Sequence, residues 1–453
     1  MYDLIIKNGL VVLPDEARKL DVAIRDGRFA AIGSDLEPGN AQVIDASGQY
    51  VLPGVVDAHA HFNDPGLPHR EDFLSGTSAA AAGGTTTVFD MPLSGNPTVT
   101  SVETLELKKR AAREKAVVDY ALWSGLVDDN VDEMDAIARA GAIAFKAFTC
   151  FAGDDFPYAT NQILYRGMLR AVGMNTPVGV HCEDQNLVSY LEGCARANGD
   201  TSIRAFLDAH APITELLSTQ TVLELAKETG APVHICHASL PEVVEAVRSA
   251  REWGACITVE TCPHYLLFTE EDLERQKGFL KCTPPVRTKP DQEGLWEMVL
   301  SGEIDMIASD HSPSSIAEKT PEDGNFWTAW GGTNGVQTML AALHSEGVLK
   351  RELPLEAMMR LLSTNPAMIF GIYPRKGAIR VGSDADFVLF DPAQVWKVVP
   401  ELLHYKNKHT PYMGMEFTGK VKSTYVRGER VFHQGDITAR PGFGRMITRE
   451  VFQ

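Results

Sequence analysis

Hydrophobic and polar positions follow two different rhythms along this chain, and the changes between them divide it into three stretches. Over about the first fifty residues, short β-branched runs alternate with turn residues. These runs are Asp3 to Leu13, Asp21 to Ile32 with the hairpin signal Asp26-Gly27 inside it, and Val43 to Val51 with Ser47-Gly48. Pro53-Gly54 marks a break. Beyond it, eight short apolar runs are separated by stretches of helical spacing: Val55–Phe62, Thr85–Met91, Val118–Val127, Ala142–Phe148, Pro177–Cys182, Pro232–His237, Cys256–Cys262 and Asp305–Ser309. Two of the intervening helices are expected at Ser101 to Lys115 and Pro241 to Trp253, with Ser101 and Ser239 as N-caps. The strand runs are nearly continuous in apolar residues, as expected for a parallel sheet covered by helices. Eight strand–helix units over roughly 300 residues is the count of a (β/α)8 barrel.

After about Tyr373 the β rhythm returns. Gly377 to Asp391 is predicted to hold two short strands around a Gly-Ser-Asp turn, and Lys420 to Phe432 a hairpin closed at Arg427-Gly428-Glu429. Each terminal β segment is short for a core of its own. The expected architecture is therefore α/β: a TIM barrel over residues 53–372, with a small β-sandwich domain built jointly from residues 1–52 and 373–453.

Composition narrows the function classes. The formal net charge of −18 argues against nucleic acid and anionic membrane as partners, since both require a positive surface. The seven cysteines are odd in number and contain no C-x-x-C pair, so no disulfide framework is expected and a reducing cytoplasm is the natural compartment. The first residues lack a long apolar core and read as a strand, and no stretch is apolar enough to span a bilayer.

Metal-ligand residue types recur where the predicted barrel strands end, which is where barrel enzymes assemble their sites. The first strand ends at His59 and His61, whose i, i+2 spacing puts both imidazoles on one face. His181 ends the fifth, His237 the sixth, and Asp310 and His311 the eighth. A single strand-end histidine is usually structural; four in phase with a terminal aspartate are not. His234, three residues before His237, faces the other way and reads as structural. His69, His210, His344, His404, His409 and His433 fall in helix or loop contexts and are assigned no role. Lys146 stands in the apolar fourth strand, where burial disfavours its charged form. A neutral amine there can add CO2 and become an anionic carbamate able to bridge two cations.

These features together resemble the cyclic amidohydrolases, the group that holds allantoinase, hydantoinase (dihydropyrimidinase) and dihydroorotase. The segments that carry the resemblance are Gly54 to Gly66 around His-Ala-His, Gly83-Gly-Thr-Thr-Thr, Asp90-Met-Pro-Leu93, Phe145-Lys146, Val180-His-Cys-Glu183, Cys236-His237, Glu260 to Tyr265, Thr283 to Arg287 and Ala308 to Pro313. They extend through nearly the whole chain. The resemblance implies a centre of two divalent ions, most often Zn2+, with Co2+, Mn2+ or Fe2+ also suited to such ligands. It implies that His59, His61 and Asp310 hold one ion, that His181 and His237 hold the other, and that Lys146 bridges both as N6-carboxylysine. The paired cations would acidify water and polarise the substrate carbonyl, while Asp310 takes up a proton and returns it to the departing ring nitrogen. Asn63, Thr283, Gly331 and Gly332 fall where family members contact the ring. The resemblance further implies a homotetramer.

The substrate reading rests on the neighbours of these residues. Dihydroorotase-like sequences usually carry Arg two residues after His-x-His and Asn after Met-Pro; here those positions are Asn63 and Leu93. Asn63-Asp-Pro-Gly66 and Asp90-Met-Pro-Leu93 match allantoinase-like sequences best. Leu67 to Phe73 and Ser94 depart from that pattern, which keeps 5-substituted hydantoins as the alternative substrate. A non-catalytic relative serving as an interaction protein would be expected to lose ligand positions, and all six are present.

Overall fold

The computed structural model describes residues 1–449; the last part of the predicted second β segment, 450–453, lies outside the described residues. All eight predicted barrel strands form: Val55–Ala60, Thr85–Asp90, Asp119–Leu122 with Ser124–Gly125, Phe145–Phe148, Val178–His181, Val233–Ile235, Ile257–Thr261 and Met306–Ile307. Each pairs in parallel with its successor. A parallel bridge between Ala60 and His311 joins the last strand region to the first and closes the barrel.

The third strand is not continuous as expected. Trp123 interrupts it: the backbone N–H donates to Asp90 O at 3.0 Å and the indole N–H to Ala58 O at 3.1 Å. The indole is fully buried with Val56, Phe89 and Met306 in the barrel interior.

Val102–Lys115 is a helix capped by Ser101, whose side chain accepts from Thr104 N as predicted. Pro241–Glu252 also forms, but its N-cap is Leu240 rather than Ser239. Ser239 is taken by the core: its N–H donates to Glu215 Oε1 at 2.9 Å, and its hydroxyl accepts from Arg287 Nε at 2.9 Å. A buried carboxylate and guanidinium outbid a helix end that Pro241, lacking an N–H, already suits.

The terminal segments build the two sheets of the expected sandwich. A four-stranded sheet uses N-terminal strands alone, whereas a seven-stranded sheet joins C-terminal strands to Tyr50–Pro53, Leu10–Val12 and Ala17–Lys19. The join is the antiparallel pairing of Phe387–Lys397 with Tyr50–Pro53. Ile6, Val22, Phe29, Val51, Phe387 and Tyr425 from both sheets share one core, so the pair is a sandwich. The hairpin expected near Arg427 forms between Glu416–Val426 and Glu429–His433.

Only one of the two strands predicted in Gly377–Asp391 appears. Residues before Phe387 instead bond to the N-terminal hairpin at single points, Phe29 N to Ser383 O at 3.0 Å and Gly382 N to Phe29 O at 2.8 Å. Asp384 and Asp386 are meanwhile drawn into a buried ion cluster. There Lys376 Nζ lies 2.6 Å from Asp119 Oδ2, 2.7 Å from Asp386 Oδ2 and 3.1 Å from Asp384 Oδ2, and Arg427 also pairs with Asp119. Asp119 opens the third barrel strand, so this cluster pins the sandwich to the N-terminal end of the barrel, opposite the strand ends that carry the histidines.

Candidate active site

The C-terminal strand ends bring His59, His61, Lys146, His181, His237 and Asp310 around one point. Asp310 Oδ1 is 3.4 Å from Nε2 of both His59 and His61. His181 Nδ1 is 3.1 Å from His237 Nε2, and the His59 and His237 rings are 5.3 Å apart. Lys146 pairs in register with Gly179, two residues before His181, and its side chain is completely buried.

Two of these residues need unusual backbone. His237 and Asp310 have φ of 38° and 43°, left-handed values that cost a non-glycine residue about 1–3 kcal/mol and persist only when neighbours enforce them. Here Glu260 Oε1 accepts from His237 N at 3.1 Å, and Asp57 accepts from Ser309 N at 3.0 Å and from its hydroxyl at 2.5 Å. The bend turns each side chain off its strand and toward the shared centre.

Carboxylates behind the histidines set which ring nitrogen faces inward. Glu260 lies 2.5 Å from His59 Nδ1, leaving Nε2 toward Asp310; Glu183 lies 2.7 Å from His181 Nε2, leaving Nδ1 toward His237. Burial pushes both carboxyls up, but the neighbouring imidazoles, His59 for Glu260 and His210 with His181 for Glu183, outweigh it and hold them below the usual carboxylate range. Burial likewise opposes ionisation of Asp310, yet His59 and His61 hold it at about 2. Burial lowers His59, His181 and, most strongly, His237, which favours the uncharged ring that can offer a lone pair.

This donor set fits divalent cations. His59, His61 and Asp310 offer ligand atoms within 4.8 Å of one another. Lys146 Nζ is buried with no hydrogen-bond partner among the described residues, although buried polar groups are normally paired. A cation-bound carbamate would resolve that deficit; a bare ammonium among imidazoles does not.

The centre opens into a cavity of about 430 Å3, a volume in the range of small-molecule sites. Thr283, Gly331 and Gly332 line it. Gly332 has φ of 139°, and a Cβ there would come within 2.5 Å of Ser312 Oγ, so only glycine fits that approach. Two buried lysines strap this wall in place: Lys281 Nζ donates to the carbonyls of Phe326 at 2.7 Å and Ala329 at 2.8 Å, and Lys319 Nζ to those of Trp330 at 2.9 Å and Gly332.

Asn63 lies elsewhere. It is buried with φ of 59°, its amide donating to His61 O at 3.2 Å and Pro313 O at 3.4 Å, and it is not among the cavity-lining residues. It braces the end of the first strand against the loop after the eighth. His234 has Nδ1 2.8 Å from Thr258 Oγ1 and Nε2 3.2 Å from Glu260 Oε2, so it stands behind the carboxylate that orients His59.

Sequence reasoning passed over Glu183, Glu260, Asp57 and His210. Glu183 carried a usable signal, since it follows His181 by two residues. His210, assigned no role, has its Nδ1 2.6 Å from Glu183 Oε1 and lines the cavity. No spacing links it to the strand ends; only the fold brings it there.

The model of the amidohydrolase family matches residues 50–431, a span that includes every residue of this centre. The chain belongs to that family. Among curated relatives of this amidohydrolase, the allantoinase of Deinococcus radiodurans is 40% identical over 98% of both chains. That of Rubrobacter xylanophilus is 42% identical over 98% of this chain and 97% of its own. Among solved structures, the L-hydantoinase (dihydropyrimidinase) from Arthrobacter aurescens superimposes with a TM-score of 0.96 at 33% identity, covering 99% of this chain and 100% of its own. The dihydropyrimidinase from Brevibacillus agri gives 0.93 at 31% identity, with complete coverage of both chains. Among the described residues, no helix is long and apolar enough to cross a membrane.

Proposed function

We propose that this amidohydrolase opens the ring of allantoin by hydrolysing an amide C–N bond, releasing allantoate. The observation that carries the reading is the convergence of four imidazoles, an ionised aspartate and a buried lysine with no hydrogen-bond partner among the described residues, beside a small-molecule cavity. Full-length relatives named allantoinase, at 40% and 42% identity, support the choice of substrate.

In this reading His59, His61 and Asp310 would hold one divalent ion and His181 and His237 a second, with Lys146, as its carbamate, contributing oxygen donors to the centre. Zn2+ suits the imidazole and carboxylate donors, and Co2+, Mn2+ or Fe2+ can replace it. Bound there, the pair of ions supplies Lewis acidity at the carbonyl and acidifies water. Asp310 is ionised at neutral pH and so can accept a proton at Oδ1 or Oδ2 and return it to the ring nitrogen as the C–N bond breaks. Thr283 and the Gly331–Gly332 backbone, held by Lys281 and Lys319, orient the ring against that carboxylate.

A second reading, ring opening of 5-substituted hydantoins, is favoured by the aromatic residues Phe148, Phe206 and Trp327 on the cavity wall. A ring-opening panel of allantoin, 5-substituted hydantoins, dihydrouracil and dihydroorotate with the metal-loaded enzyme separates the two. The expected result is the highest kcat/KM on allantoin. Preferential turnover of another ring overturns the substrate assignment.

A further inference from the structure

We propose that His210 is a specificity-determining residue whose Nε2 hydrogen-bonds the ureido arm of the substrate. The inference rests on the allantoin reading and extends it to the group outside the ring.

His210 follows the helix Ile203–Ala209 and is fixed on every side but one. Its N–H donates to Phe206 O at 3.1 Å, its carbonyl accepts from Arg287 Nη1 at 2.5 Å, and its ring packs on Phe206 with centroids 4.6 Å apart. Nδ1 is 2.6 Å from Glu183 Oε1, while the other oxygen of the same carboxylate is 2.7 Å from His181 Nε2. Glu183 thus takes up one nitrogen of each ring, Nε2 of His181 and Nδ1 of His210. For His181 this leaves Nδ1 toward His237. For His210, which lines the cavity, it leaves Nε2 as the ring nitrogen free to meet a substrate. Glu183 therefore orients one histidine for the reacting ring and a second for whatever the ring carries.

The chemistry of the arm follows from the surroundings. Phe148, Phe206 and Trp327 supply apolar contact on this cavity wall, and a hydrocarbon arm needs nothing more. A polar ring nitrogen held among them gains only from a substrate that brings a hydrogen-bonding arm. Allantoin carries a ureido group on its ring carbon; an alkylhydantoin carries hydrocarbon there and leaves Nε2 unpaired. Sites built around such a bond discriminate strongly against analogues that lack the bonding group.

The test is the ratio of kcat/KM for allantoin to that for 5-methylhydantoin, measured for wild type, His210→Phe and His210→Asn, with bound metal quantified in each. Both substitutions are expected to lower that ratio about tenfold to a hundredfold, with bound metal retained. His210→Asn, whose side chain is too short to reach the arm, reads the same ratio if His210→Phe does not fold. An unchanged ratio overturns the inference: equal losses on both substrates would mean that His210 acts only through Glu183 and His181. Failure of the wild-type enzyme to open allantoin is a different result, and overturns the functional reading together with this one.

Discussion

Two lysines, Lys146 and Lys376, are buried at opposite ends of the same barrel, and their surroundings are opposite too. Lys376 has three carboxylates within 3.1 Å, and the Arg427 guanidinium shares one of them. Those carboxylates raise its pKa despite burial. Lys146 Nζ has no hydrogen-bond partner among the described residues that meets normal geometry. Burying a charge is tolerable when it is paired, so the Lys376 cluster is closed chemistry that ties the sandwich to the barrel. An amine left so in a protein interior is what the function proposed above accounts for, as a carbamate beside metal ions. The contrast separates a buried lysine paired to hold a fold from one left without such a pairing.

The contrast is best broken by swapping the consequences. Lys146→Ala is expected to lower kcat/KM by about three orders of magnitude or more, given the several kcal/mol a metal centre contributes. Metal content should fall with it, while the melting temperature of the metal-free protein stays the same or rises because an unpaired buried amine has gone. Full activity in this variant, measured beside its metal content, would sink the two-ion reading. Lys376→Met should do the reverse. It strands three buried carboxylates and is expected to cost about 3–5 kcal/mol of stability, read by denaturant unfolding, while the folded fraction keeps its kcat. A loss of kcat without a loss of stability would show that the two ends of the barrel are coupled.

The smallest effect is one of pH. Burial pushes Asp119 up, but the Lys376 ammonium and the Arg427 guanidinium beside it outweigh that and hold it below the usual carboxylate range. Its stabilising contribution is present above the unfolded value of about 4 and is lost as pH falls through the lower folded value. Asp119→Asn should therefore be less stable than wild type at neutral pH and show a smaller further drop in melting temperature between about pH 5 and about pH 3. Parallel curves for the two proteins would place the acid sensitivity in other groups.

Much of this was legible before any coordinates. Eight apolar runs became eight barrel strands because a parallel strand covered on both faces must be apolar along its length, and that leaves a plain mark. The metal-ligand candidates were legible because they break such runs at their ends. The misses have physical reasons as well. Trp123 satisfies its own N–H groups across the barrel at Asp90 and Ala58, so an apolar run that reads as one strand is cut in two. Ser239 looked like a helix cap by position, but Glu215 and Arg287 compete for it from distant parts of the chain. Asn63 looked like a substrate contact from its place after the histidines, yet its amide is turned toward backbone carbonyls.

The order of amino acids settled the barrel, the composite terminal β domain and the residue types gathered at the strand ends, because periodicity and strand-end position are local properties. Tertiary structure decided which nitrogen of each histidine faces the centre, which lysine is paired and which is left alone, and that His210 shares Glu183 with His181. Those are contacts between residues up to hundreds of positions apart in the chain. No local pattern encodes them, and they exist only once the strands have closed the barrel and buried the charges they carry.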